Sequence, residues 1–274
     1  MKTASLPIPG LVLGPYPERR GFDREALSHW LQGLRARFPA PKRRYHRFAL
    51  RVAALESALG VQDGDTLKPR LYDTRAAMAR DGLTDELIAA ALALASRACL
   101  HTLGLRPYTT QLIAARIMLD GRLAEMATGE GKTLAAGLCA AVAALAGIPV
   151  HVITANDYLV GRDAAWLQPL FRSLGLEVGA VTQSLARDRR QQAYACDIVY
   201  CTAKELVFDY LRDGLTRAAS KPLRPDTPVG TVGNFRGTLL RGLCMAVVDE
   251  ADSVLIDEAC VPLVLSEHRE NAGQ

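Results

Sequence analysis

The sequence predicts a three-layer α/β domain with a mostly parallel sheet, preceded by a helical N-terminal region. Two observations predict it. Between Leu123 and Asp249, strand-like segments (LAEM, VHVIT, EVGAVT, DIVYCT, MAVVD) alternate with helix-like ones (TLAAGLCAAVAALA, DAAWLQPLFRSL, FDYLRDGL), the order that places helices on both faces of a parallel sheet. The chain has 274 residues, of which 49% are hydrophobic and 23% charged, with mean hydropathy +0.06. That is enough to bury one large core or two ordinary ones, and it excludes a disordered or fibrous chain.

Residues 1–22 carry Pro7, Pro9, Pro15 and Pro17 and are expected to be irregular. From Asp23, the apolar residues Leu27, Trp30, Leu31, Leu34 and Phe38 recur at helical spacing, with Arg24, His29, Arg35 and Arg37 between them. This predicts a basic amphipathic helix ended by Pro39 and Pro41, with the cluster Lys42, Arg43, Arg44 and Arg47 after it. Thr84, Asp85 and Glu86 read as a hydroxyl cap and two acids opening a largely buried helix that stops at Gly104. Leu134 to Ala155 is long and apolar enough to resemble a membrane span, but Gly147 and Pro149 divide it into an Ala/Leu-rich helix and a β-branched strand. Ala218 to Leu239, rich in Pro, Gly and Thr, reads as a surface loop.

The net charge of +4 conceals an asymmetry. Residues 1–47 hold ten Lys and Arg against three Asp and Glu, a net +7, leaving 23 against 26, a net −3, for residues 48–274. The basic arm can bind an anionic membrane surface, although its composition favours a solvated surface helix packed on its own domain, and the acidic body is a poor match to a nucleic-acid groove, so nucleic acid is not an expected partner. The six cysteines are irregularly spaced, without a C-x-x-C pair. They read as reduced thiols of a cytoplasmic protein, and the broken apolar stretch at the N-terminus does not read as an export signal.

Two constellations carry chemistry. TGEGKT, Thr128 to Thr133, lies between a strand-like and a helix-like segment. A turn of this kind aims backbone N–H groups at an anion beside a positive helix end. Gly129 and Gly131 let the backbone approach phosphate oxygens, Lys132 reaches the β- and γ-phosphates, and Thr133 offers its hydroxyl to Mg²⁺. Met126 stands where the longer eight-residue pattern has glycine, so the match is to the shorter G-x-G-K-[ST] form, which arises by chance in about one chain in a hundred of this size. The second constellation is Asp249, Glu250, Ala251 and Asp252, at the C-terminal end of the last apolar run, the edge where open α/β sheets bind ligands. Alone, these four residues also suit a helix start. Paired with the glycine-rich turn, they read as a metal-holding Asp249 and a Glu250 that orients and polarises the attacking water.

RPYTTQL, AEMATGEGKTL, VITANDYLVGRDAAWLQPLF, FDYLRD and VVDEADSVLIDEA, in order from about Leu67 to Leu265, resemble the first nucleotide-binding domain of the SecA family, the ATP-driven motors of bacterial preprotein translocation. The resemblance implies a P-loop RecA-like fold using ATP and Mg²⁺, in which Met126 is the usual residue. It implies that Gln111 reads the adenine, that Gly129, Glu130, Gly131, Lys132 and Thr133 hold the phosphates, that Thr133 and Asp249 hold the metal, and that Glu250 and Lys132 serve catalysis. It implies as partners a SecYEG-like translocon channel, preproteins and, through the N-terminus, acidic phospholipid, with a homodimer left open. The implied location is cytoplasmic, on the inner face of the cytoplasmic membrane.

On this reading the chain divides into a basic extension (1–47), a helical part (48–105), a nucleotide-binding domain (106–265) and the start of a preprotein-binding insertion (266–274). Departures from the family pattern are Thr109 and Thr110 for Asp-Val, Ala127 for a basic residue, Cys260 and Val261 for Arg-Thr, and a longer loop before Met245. A complete motor adds a second lobe whose arginine completes the site, so the lobe alone is expected to hydrolyse ATP poorly. Two other readings share the motifs: a DEAD-type RNA helicase lobe, against which TANDYLVGRD argues, and a non-catalytic nucleotide-binding fragment.

Overall fold

The alternating apolar segments form a four-stranded, all-parallel sheet in a computed structural model that describes residues 42–60, 64–219 and 238–257. The strands are β1 (Val150–Thr154), β2 (Val178–Val181), β3 (Ile198–Thr202) and β4 (Met245–Val248), in the order β2-β3-β1-β4. In register, Val152 stands between Tyr200 on one side and Val247 on the other. Because side chains alternate across a strand, Val150, Val152, Ile198, Tyr200 and Val247 share one face and enter the larger core. Ile153, Val199, Cys201 and Val248 share the other face and enter a second core. Each strand is thus apolar on both sides, as a covered parallel sheet requires.

The helices are α1 (Lys42–Ala58), α2 (Gly64–Asp81), α3 (Asp85–Leu103), α4 (Thr109–Leu119), α5 (Lys132–Leu145), α6 (Asp157–Ser173), α7 (Arg187–Tyr194) and α8 (Ala203–Ala219). On the first face α5 and α6 lie against the sheet, α3 and α4 pack behind them, and α1 and α2 form the outermost layer. On the second face, α7 packs on β2 and α8 on β3. Helix α3 begins and ends where its caps dictate: Thr84 accepts the Leu87 N–H, and Gly104 closes the last turn with φ 68°. It is long and apolar enough to cross a membrane by length and composition, yet more than half of it is buried inside the protein. The apolar run from Leu134 onward is likewise core, buried at every position of α5 from Leu134 to Leu145.

Three sequence expectations change. LAEM forms no strand: Arg122 to Ala127 have no regular structure and Leu123 is 81% exposed. An extended segment gains ladder hydrogen bonds only beside another strand, and β1 is the one strand that pairs with β4 among the described residues. Lys42, Arg43, Arg44 and Arg47 open α1, whose Tyr45, Phe48, Ala49 and Val52 are buried. The expected loop starts late and ends early, since Ala218 and Ala219 finish α8 and Thr238 to Leu240 are buried. The rest of that loop, the helix expected from Asp23, and residues 258–274 with Cys260 and Val261 lie outside the described residues.

Two buried arginines tie the layers together. Arg116 of α4, 2% exposed, contacts Asp85 of α3 at 2.5 Å and Asp120 at 2.7 Å and lies over the Phe48 ring of α1. On the far face Arg190 of α7 contacts Glu205 at 2.6 Å and Asp209 at 2.8 Å, both on α8, and donates to the carbonyls of Thr182, Gln183 and Leu185. The Tyr194 hydroxyl donates to Asp209, and Asp213 accepts the N–H groups of Leu239 and Leu240. The acids of FDYLRD are therefore fully buried fasteners that lead the chain back into β4. Described cysteines are all free, and burial pushes Cys139 and Cys201 up to about 12, so these thiols are inert packing.

Arg190→Met leaves the buried Glu205 carboxylate uncompensated and Asp209 with Arg212 as its remaining cation, and is expected to lose about 3–5 kcal/mol of unfolding free energy, read by urea denaturation. His151, buried on β1 near the Tyr194 ring, is lowered to about 4 by burial and by the Arg241 charge. The unfolded imidazole takes up its proton near pH 6.5, so the folded state binds fewer protons below that point. Its stability contribution is complete above about pH 6.5 and is expected to be lost as pH falls toward about 4, by about 3 kcal/mol. Denaturation curves across that range should show this slope in the native chain and a flatter one in His151→Phe.

Candidate functional site

The loop Thr128 to Gly131 delivers the chain to α5 at the edge of the sheet where β1, β3 and β4 end. Helix α5 is held by apolar burial on all sides, which sets where its N-terminus points. Gly131, the residue capping that end, has φ 79° and no side chain to accept the first-turn N–H groups; its carbonyl takes the Leu134 N–H, and the N–H groups of Lys132 and Thr133 are left to meet an anion. A side chain at Gly131 would run into the Gln111 amide, so glycine is needed there both for its backbone angle and for space. Gly129 also sits at positive φ, 86°, facing open space. The Glu130 carboxylate turns inward and accepts the Ala127 N–H at 3.0 Å, closing the loop on itself.

Gln111 is buried at the start of α4. Its Oε1 accepts the Tyr108 N–H at 2.9 Å, and its Nε2 donates to the Glu130 carbonyl at 2.9 Å. The side chain therefore braces the glycine-rich loop from below and retains one N–H and one oxygen lone pair for another group. Lys132 is exposed and Thr133 half-buried, both in the first turn of α5.

Asp249 extends the β4 ladder by one step, its N–H donating to Ile153 at 2.8 Å. Its parity puts it on the same sheet face as Tyr200 and Val247, in line with Thr154 and Thr202. Burial raises the Asp249 carboxyl above the usual carboxylate range. The Glu250 N–H bonded to it lowers it, the charge of Asp163 raises it further, and Lys132 and Arg162 lower it. The structure thus brings Lys132 within electrostatic range of Asp249. Glu250 is exposed, with φ 54°, the one non-glycine residue at positive φ among the described residues. Such a backbone is strained by about 1–3 kcal/mol and persists only where its surroundings hold it.

Sequence reasoning missed the acidic and aromatic neighbours of Asp249. Asp163 on α6 is 3% exposed and gripped by Arg162 at 2.7 Å, and Tyr200 on β3 has a buried hydroxyl with no hydrogen-bond partner. The signals were a polar ring inside the apolar run IVYCT and the pair Arg-Asp within an otherwise amphipathic helix.

A hard, oxygen-seeking cation fits this donor set. Mg²⁺ takes one or two protein ligands and fills its remaining positions with water and phosphate oxygens, and a carboxylate raised by burial is one that a cation would stabilise. No group of three or more His, Cys, Asp or Glu converges as a metal cage among the described residues.

The chain matches the SecA DEAD-like domain over residues 34–274. It is 44% identical over 269 residues to the protein translocase subunit SecA 2 of Nitrosospira multiformis, covering 94% of this chain and 40% of that protein. It is 49% identical over 181 residues to SecA 2 of Mycolicibacterium smegmatis (65% of this chain, 21% of that protein), and 40% over 224 residues to SecA of Laribacter hongkongensis (82% and 23%). It spans about 40% of the length of the first of these relatives and less of the others. With most of its length matched and its glycine-rich loop, Gln111 and Asp249 gathered at one sheet edge, the chain belongs to the SecA DEAD-like domain family.

Proposed function

We propose that this domain is the lobe of a protein-translocating motor that binds Mg²⁺–ATP, and that it turns ATP over slowly by itself. The observation that carries the reading is the open N-terminus of α5 behind TGEGKT, with Lys132 in electrostatic range of Asp249. Backbone N–H groups of the loop receive the phosphates, and Lys132 balances their charge. Thr133 and Asp249 would hold Mg²⁺, which would supply positive charge to the phosphates when bound. Glu250, one residue beyond the metal-holding carboxylate and exposed, orients the attacking water and accepts its proton. Gln111, with one donor and one acceptor position left, meets the adenine edge while keeping the loop in place.

The relatives are named as translocase subunits. We extend that to this chain: its partners are a SecYEG-like channel and preproteins at the inner face of the cytoplasmic membrane, with acidic phospholipid met by the basic N-terminal residues. Full turnover requires an arginine from a second lobe across the nucleotide, worth about 10³–10⁵ in rate in related NTPases.

Lys132→Ala is expected to weaken nucleotide binding about 10- to 100-fold, the worth of a hydrogen bond to a charged group. Equilibrium titration with a fluorescent adenine nucleotide reads this, and unchanged affinity would refute the phosphate role. Two Glu250 variants separate chemistry from strain. Both Glu250→Gln and Glu250→Gly should retain nucleotide and lose hydrolysis. Only the glycine variant should gain stability, by about 1 kcal/mol, as its backbone tolerates positive φ, and paired thermal melts measure the difference.

A further inference from the structure

Tyr200 is 1% exposed, packed near Phe171 with ring centroids 6.5 Å apart, and phenylalanine would fill the same space without a polar atom. Its hydroxyl nevertheless lies buried without a hydrogen-bond partner. Groups in that position are normally satisfied, so the hydroxyl proton is available to a further partner. The hydroxyls in the next row of the sheet are engaged: Thr154 donates to the Asn156 carbonyl, and Thr202 accepts the Glu205 N–H. Arg162 holds one oxygen of Asp163, Oδ1. Asp249 has one oxygen, Oδ1, bonded to the Glu250 N–H. Its sheet parity matches that of Tyr200, and the charges of Asp163 and Asp249 both act on the phenol.

We propose that Tyr200 is a positioning residue for Asp249, its hydroxyl donating to the Asp249 carboxylate, directly or through one water, when magnesium and nucleotide are bound. The carboxylate would then carry the Glu250 N–H on one oxygen and the tyrosine on the other, leaving it one orientation toward the metal, as partners behind a ligand typically do. This inference rests on the nucleotide reading above.

The test uses the full 274-residue chain and a fluorescent ADP analogue titrated in Mg²⁺ and in EDTA, with melting of the nucleotide-free protein alongside. Tyr200→Phe is expected to leave affinity in EDTA within twofold, to reduce the gain that magnesium confers by about tenfold, and to melt at or above the native temperature, because an unpaired buried hydroxyl has been removed. In an Asp249→Asn background it should change the magnesium gain no further. A magnesium gain unchanged in Tyr200→Phe overturns the proposal and leaves the nucleotide reading intact, as does affinity lost equally in Mg²⁺ and EDTA. A lowered melting temperature also overturns it, since the hydroxyl would then already have a partner. Failure of the native chain to bind nucleotide, or to bind it more tightly with magnesium, overturns the nucleotide or metal reading itself and this inference with it.

Discussion

The site depends on the burial of α5. From Leu134 to Leu145 no position reaches solvent, so the helix has no polar face and cannot rotate or slide without exposing apolar surface or opening a cavity. Helices α3 and α4 cover it on one side and the sheet on the other. A helix held this way presents its N-terminal N–H groups in one direction only. With glycine as the capping residue those groups have no internal side-chain acceptor, and the result is a fixed anion cradle beside the ends of the strands.

The sheet supplies the second half of the site by parity. Strands β3, β1 and β4 run in register, so one face carries apolar residues through Tyr200, Val152 and Val247 and then turns polar at Thr202, Thr154 and Asp249. The change from apolar to polar happens one step before the strands give way to loops, which is where buried carboxylates can first meet a cation. Among the described residues the opposite face has no such site. There the Arg190, Glu205 and Asp209 cluster, with Asp213 holding Leu239 and Leu240, fastens the chain as it returns to β4, which makes charged residues distant from the candidate site part of what positions Asp249.

A strained backbone and an unpaired hydroxyl both occur where the chemistry is proposed. Glu250 occupies a left-handed backbone, Tyr200 has a hydroxyl without a partner, and burial raises the Asp249 carboxyl. Each is unfavourable by itself, and the surrounding core offsets them.

The sequence by itself determined the layer architecture, the buried character of the Leu134 to Ala155 stretch, the caps of α3 and the two constellations at Lys132 and Asp249, because these follow from local periodicity, capping chemistry and short spacing. It also overreached locally: the apolar alternation in LAEM reads as a strand, but a strand exists only when a neighbour accepts its hydrogen bonds. Tertiary structure alone decided that Gln111 braces the loop through Glu130, that FDYLRD holds buried fasteners, and that Tyr200 and Asp163 stand within electrostatic range of Asp249. Those pairings join residues 15 to 86 positions apart in the chain, and partners so distant are chosen by strand order and register, which no local pattern encodes.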